Sequence, residues 1–138
     1  KICIVVALFY PDISNKLIEG AINEFKKFGI PVNKKIIVPG IFEIPVAISK
    51  AINSFDAFIA LGCVIKGQTP HFNFISKATM DAIMHLSIIH KKPIGNGIIT
   101  CLNKKQAFNR SDKNRKNKGS EAAKAVLSVL GIQKNETK

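Results

Sequence analysis

The chain has 138 residues, 46% of them hydrophobic and 22% charged, a composition and length that build one globular domain, spanning 1–138, with a full core. No apolar run reaches membrane-spanning length, and the opening KICIVVALFY is too short and wrongly flanked for a signal peptide. The formal net charge of +12 points instead to an anionic partner, either a nucleic acid or a small anionic substrate.

Ile2 to Phe9 is a continuous apolar run with β-branched residues, the pattern of a strand buried on both faces, and Pro11-Asp12 break it. A first residue of Lys rather than Met implies that the native N-terminus is trimmed or disordered. From Ile13 to Phe28 the apolar positions Ile13, Leu17, Ala21, Ile22, Phe25 and Phe28 keep helical spacing, and Gly29 marks the stop. Lys35–Val38 reads as a second strand closed by Pro39-Gly40, and a helix is expected from about Phe42 to Ile52, with Pro45 in its first turn. Ala57–Ile65 is the third strand. The next helix is expected to begin at Pro70, with Thr69 as N-cap and Ile75, Ala78, Ala82, Leu86 and Ile89 on its buried face. Pro93 ends that unit. Ile94–Thr100 is a fourth strand, weakened by Gly95 and Gly97. Asn103 and Gln106 form a capping pair for a short helix, and a last helix runs from about Ser120 to Leu130 before Gly131.

This unbroken alternation predicts an α/β fold with a parallel sheet of about four strands. In such sheets ligands bind beyond the carboxyl ends of the strands. Four segments therefore matter: Phe9-Tyr10, Pro39 to Glu43, Lys66 to His71, and Thr100 onward. A helix start after strand three offers free N–H groups and a favourable dipole to a phosphate. Gly67 allows close backbone approach, and His71 stands beside that seat with a side chain suited to moving protons. Taken singly, each feature also has a plain explanation. His71 can be a surface residue, Glu43 a helix-start acid and Phe9 a core residue. His85 and His90 fall on a polar side and are expected to be solvated. Cys3, Cys63 and Cys101 lie in or beside apolar strand-like runs, without metal-ligand spacing, and are expected to be buried thiols.

The charge is unevenly spread. Lys104, Lys105, Arg110, Lys113, Arg115, Lys116 and Lys118 face one acid, Asp112, giving +6 over 103–118. Only Phe108 interleaves these charges, which weakens a single-stranded nucleic-acid reading and leaves anion capture or a solvated basic face.

PGIFEIP, LGCVIKGQTPHF, GNGIIT and RSDKNRKNKGSEAA, in this order and spacing, resemble the lumazine synthase family, the penultimate enzymes of riboflavin biosynthesis, from Ile2 to about Gly131. The resemblance implies a flavodoxin-like three-layer sandwich and a cytoplasmic enzyme. It would condense 5-amino-6-(D-ribitylamino)uracil with 3,4-dihydroxy-2-butanone 4-phosphate and need no cofactor or metal. It also implies the roles of individual residues. Gly67, Gln68 and Thr69 would hold the phosphate, and His71 would be the general acid/base. Phe9 would stack on the pyrimidine, whose edge the backbone of Val64 and Ile65 would fix. Gly40, Ile41, Phe42 and Glu43 would take the ribityl chain and ring. Arg110 and Lys118 would serve the site of a neighbouring subunit in a pentamer-based homo-oligomer. Asn96 stands where many members place a phenylalanine over the neighbour's site, and Leu8-Phe9-Tyr10 where many carry Arg-Phe-Asn. The resemblance admits an association with riboflavin synthase and implies neither a nucleic-acid nor a membrane partner. Two rivals share parts of this reading: a non-catalytic flavodoxin-like binding module, and a basic nucleic-acid-binding domain.

Overall fold

The computed structural model describes residues 1–67, 71–112 and 116–132. Its sheet is parallel throughout, with strands β1 (Ile2–Ala7), β2 (Lys34–Val38), β3 (Ala57–Ile65) and β4 (Ile94–Cys101) in the order β2-β1-β3-β4. The helices are α1 (Pro11–Lys26), α2 (Ile44–Ala51), α3 (Phe72–His90), α4 (Lys104–Ser111) and α5 (Lys118–Leu130), and a single 3₁₀ turn, Ile41–Glu43, precedes α2. This is the expected α/β fold with the expected four strands.

Strand alternation divides the core into two layers. Ile2, Ile4, Val6, Ile59, Leu61, Cys63, Ile65, Ile99 and Cys101 face α1, α4 and α5. Cys3, Val5, Ala7, Phe58, Ala60, Val64 and Ile98 face α2 and α3. The result is a helix–sheet–helix sandwich in which β1 and β3 are buried on both faces, as their continuous apolar runs require, while the outer strand β2 is largely exposed. Removing Phe25, Leu17 or Ile59 from water stabilises the fold by about 1.5–3 kcal/mol each.

Several boundaries and faces differ from the sequence expectation. β1 stops at Ala7, two residues before Phe9, because Pro11 already opens α1 and the chain must turn. The helix expected at Phe42–Ile52 is a 3₁₀ turn followed by α2. The helix expected to begin at Pro70 begins at Phe72, with His71 at its N-cap. Its sheet-facing side is carried by Phe72, Ile75, Thr79, Met80, Ile83 and Leu86, while Ala78 and Ile89 are exposed. The reason is that α3 is apolar around much of its circumference, with Phe74, Met84 and Ile88 also exposed, so spacing alone does not choose a face. α5 begins at Lys118, two residues before the expected Ser120. The β4 glycines do not interrupt that strand. A Cβ on Gly95 would come within 2.5 Å of the Ala122 carbonyl oxygen, so its bareness lets α5 close on the sheet.

Candidate active site

The turn after β2 is built to lie on the sheet. Ile41 is buried against Gly62 of β3, where a Cβ would stand 2.8 Å from the Ile41 Cγ2. The Gly40 N–H donates to the Glu43 Oε1 at 2.9 Å, closing the 3₁₀ turn. One carboxylate oxygen is thus occupied structurally, as the plain reading of Glu43 anticipated. With Ile41 as anchor, Gly40 and the exposed Phe42 are held at the carboxyl end of β2.

β1 pairs with β3 in register only up to Val6–Leu61, so Gly62 to Ile65 continue past the last β1 partner. β4 accompanies them to Val64–Thr100 and Ile65–Cys101. Val64 and Ile65 are themselves buried in this extension of β3. At the parallel exit of β1, Phe9 is 59% exposed and packs edge-on against Tyr10, ring centroids 5.0 Å apart. An aromatic ring this exposed beside a sheet edge is a surface on which a planar heterocycle can stack.

β3 ends at Ile65, the N–H of the next residue, Lys66, donates to the Cys101 carbonyl at 2.8 Å, and Gly67 follows with φ +83°, a left-handed conformation that favours glycine. Gln68, Thr69 and Pro70 lie outside the described residues, and with them the expected Thr69 cap and phosphate contacts. His71 is exposed at the N-cap of α3, its carbonyl accepting from the Ile75 N–H at 2.9 Å. His85 and His90 are exposed on the same helix, as expected.

Arg110 reaches this end of the sheet from α4. That helix starts at the expected cap, Asn103 Oδ1 accepting from the Gln106 N–H at 2.9 Å. Arg110 Nη1 donates to the Thr100 carbonyl at 2.9 Å and lies 3.8 Å from the Cys101 Sγ. The hydrogen bond to Cys101 raises the Cys63 thiol, as does burial. The same bond, aided by the Arg110 charge and opposed by burial, brings Cys101 down to about 7.

Phe9, the Gly40–Glu43 turn, the ends of β3 and β4, Gly67, His71 and Arg110 are therefore all placed at the carboxyl side of the sheet. Two expected residues are placed elsewhere in the chain. Asn96 is exposed on the outer strand β4, opposite Ala60, five residues before Ile65 and so about 16 Å from the strand exits. Its amide bonds locally, to the Met80 sulfur at 3.0 Å and to the Ile98 N–H at 3.1 Å. Lys118 opens α5 on the α1 side and pairs with Glu121 at 3.2 Å. Lys113 and Arg115 lie outside the described residues.

A residue that sequence reasoning passed over fixes Lys118. Asn117 is buried between α1, α4 and α5. Its Nδ2 donates to the Lys16 carbonyl at 3.1 Å and the Ser111 carbonyl at 2.7 Å, while its Oδ1 caps α5 through the Ser120 N–H at 3.0 Å. Its signal was an Asn one residue ahead of a helix-compatible run, masked by the surrounding cations. Glycines make room for it: a Cβ on Gly20 would fall 2.2 Å from its Oδ1, and one on Gly119 would fall 2.0 Å from the Leu17 carbonyl oxygen.

Comparison with known proteins finds related sequences along nearly the whole chain. The sequence model of the family described as 6,7-dimethyl-8-ribityllumazine synthase matches residues 1–134. A Rhodopseudomonas palustris protein named 6,7-dimethyl-8-ribityllumazine synthase 1 is 43% identical, with 100% of this chain and 88% of that protein aligned. Proteins named 6,7-dimethyl-8-ribityllumazine synthase from Bartonella bacilliformis and Sphingopyxis alaskensis are each 42% identical. They cover 95% and 96% of this chain, and 88% and 94% of their own lengths are aligned.

Proposed function

The chain belongs to the 6,7-dimethyl-8-ribityllumazine synthase family, and we infer from that membership and from its strand-exit site how it performs the family's condensation. 5-Amino-6-(D-ribitylamino)uracil and 3,4-dihydroxy-2-butanone 4-phosphate combine to give 6,7-dimethyl-8-ribityllumazine, inorganic phosphate and water, the penultimate step of riboflavin biosynthesis. The observation that carries this reading is the family match over 1–134.

The residues take the following parts. Phe9 stacks on the pyrimidine, and the backbone of Val64 and Ile65, beyond the last β1 partner, fixes its edge. Gly40 to Glu43 take the ribityl chain. Gly67, Gln68 and Thr69 with the start of α3 seat the phosphate. The pyrimidine amine attacks the ketone, water leaves to form an imine, and phosphate is eliminated. Enolisation and attack by the ribitylamino nitrogen then close the second ring. His71 relays protons through these steps. The scheme needs proximity, orientation and a cationic seat for the leaving phosphate, with no hydride transfer, so no cofactor is invoked.

The active form is a pentamer-based homo-oligomer in which Arg110, Lys118 and the β4 position of Asn96 serve a neighbouring subunit. Two observations support this. Asn96 and Lys118 are exposed or half-exposed away from their own strand exits, and α3 presents Phe74 (78% exposed), Met84, Ile88 and Ile89 to its surroundings. We read 1–138 as one domain working in the cytoplasm, and an association with riboflavin synthase fits the pathway position. Incubating the protein with both substrates tests the function: fluorescent lumazine and released phosphate should appear in equal amounts. Absence of both from a folded, assembled protein would refute it.

A further inference from the structure

Cys63, Cys101 and Arg110 meet at the ends of β3 and β4, and the reaction scheme employs only the arginine. The register pairs Cys63 with Ile99 and Ile65 with Cys101, so the two cysteines are diagonal neighbours on the sheet face covered by α1, α4 and α5. The interaction between the two thiols raises the pKa of Cys63 and lowers that of Cys101. From α4, Arg110 Nη1 approaches that same sulfur to 3.8 Å while donating to the Thr100 carbonyl. The Cys101 carbonyl meanwhile accepts from Lys66, immediately before Gly67 of the phosphate seat. A neutral carbonyl satisfies one N–H of a guanidinium and leaves its charge uncompensated. Among the described residues, the sulfur is the group placed to answer that charge.

We propose that the Cys101 sulfur is the resting counter-ion of Arg110, parking the guanidinium at the end of β4 until substrate phosphate takes it. The proposal rests on the reading of Arg110 as a phosphate ligand and adds a positioning residue that controls it. The groups that act on Cys101 are Cys63 from β3 and Arg110 from α4. Tyr10, from the turn into α1, is coupled in turn to Cys63, and burial and Cys63 both raise its phenol. α1 and α5 turn aliphatic Leu17, Ala122 and Val126 toward this side of the sheet. Hydrogen bonding from Cys63 and the charge of Arg110 hold Cys101 near 7, whereas burial keeps Cys3 near 11 and Cys63 is raised. Thiolate therefore forms at Cys101 first. As pH rises from 6 to 8, the share of enzyme with an unparked arginine falls, and apparent phosphate affinity falls with it by at most about tenfold.

The test is steady-state kinetics from pH 6 to 8 on the assembled enzyme and its Cys101→Ser, Cys63→Ala and Arg110→Ala variants, with the thiolate followed by ultraviolet absorbance. Titration of the substrate phosphate is common to all four proteins, so differences between them report the enzyme. Across this window the KM for the butanone phosphate should rise severalfold more in the wild type than in Cys101→Ser, with the kcat profiles parallel. Cys63→Ala should move that rise to higher pH, because the thiolate loses its donor. A thiolate signal centred near pH 7 should vanish in Cys101→Ser. If Cys101→Ser follows the wild type at every pH while Arg110→Ala raises KM, the counter-ion role is wrong and the phosphate role stands. An unchanged KM in Arg110→Ala removes the phosphate role, and this proposal with it. Should Cys101→Ser not fold, the absorbance titration of the wild type decides alone: no thiolate below pH 8 overturns the proposal.

Discussion

His71 owes its position to the helix it opens, since its carbonyl already accepts the Ile75 N–H while its side chain stays exposed. A proton relay needs that combination of fixed backbone and accessible ring. His71→Ala should lower kcat by about 10²- to 10⁴-fold with an unchanged thermal midpoint. A loss of tenfold or less would demote it to a helper. Arg110 offers a different test, because a guanidinium makes two charge-assisted bonds to a phosphate where a solvated cation makes none. Arg110→Ala should raise the KM for the butanone phosphate. Mixed with inactive His71→Ala subunits and reassembled, it should recover part of the activity, since some interfaces then pair an intact arginine with an intact histidine. Confirmed reassembly without recovery would show that Arg110 serves its own subunit.

The elements differ in how plainly the sequence announces them. β3 was legible to the residue, Ala57 to Ile65, because nine successive buried positions admit little but apolar side chains. The Asn103–Gln106 cap was equally plain, since it is a local bond. The buried face of α3 was not, because Phe74, Met84, Ile88 and Ile89 are apolar for a surface other than the sheet. The site showed the same divide. Strand-exit geometry pointed to Gly67, His71 and the Gly40–Glu43 turn, whereas the roles of Arg110 and Lys118 came only through family resemblance. Asn117 was illegible because its three partners belong to α1, the end of α4 and α5, which only the tertiary fold assembles. Asn117→Ala strips a cap and leaves buried carbonyls unpaired, and should destabilise the protein by about 1–3 kcal/mol in denaturant unfolding. Gly119→Ala should cost a similar amount, about 1–3 kcal/mol, by forcing α5 away from the Leu17 carbonyl. A wild-type midpoint in either variant would contradict the clasp described above.

For the whole molecule, the exposed apolar side of α3 and the displaced positions of Asn96 and Lys118 carry one expectation. Light scattering should give a mass that is a multiple of five 15.1 kDa chains, and Ile88→Asp should shift it toward smaller species with loss of activity. A fully active 15.1 kDa monomer would end the shared-site reading. The Asn117 clasp also has a temporal side. Its bond to Lys16 spans 101 residues, and the Ser120 hydroxyl bond to the Gly20 carbonyl spans 100, so α1 is closed by a segment made long after it. Domains fold as units while synthesis runs from the N-terminus. A nascent chain lacking α5 therefore carries α1 with one flank bare, and neither Lys118 nor a finished neighbour-facing surface exists yet. Subunits become competent to join one another only after the ribosome has delivered α5, which orders the events of biogenesis: synthesis of α5, closure of the clasp, then assembly.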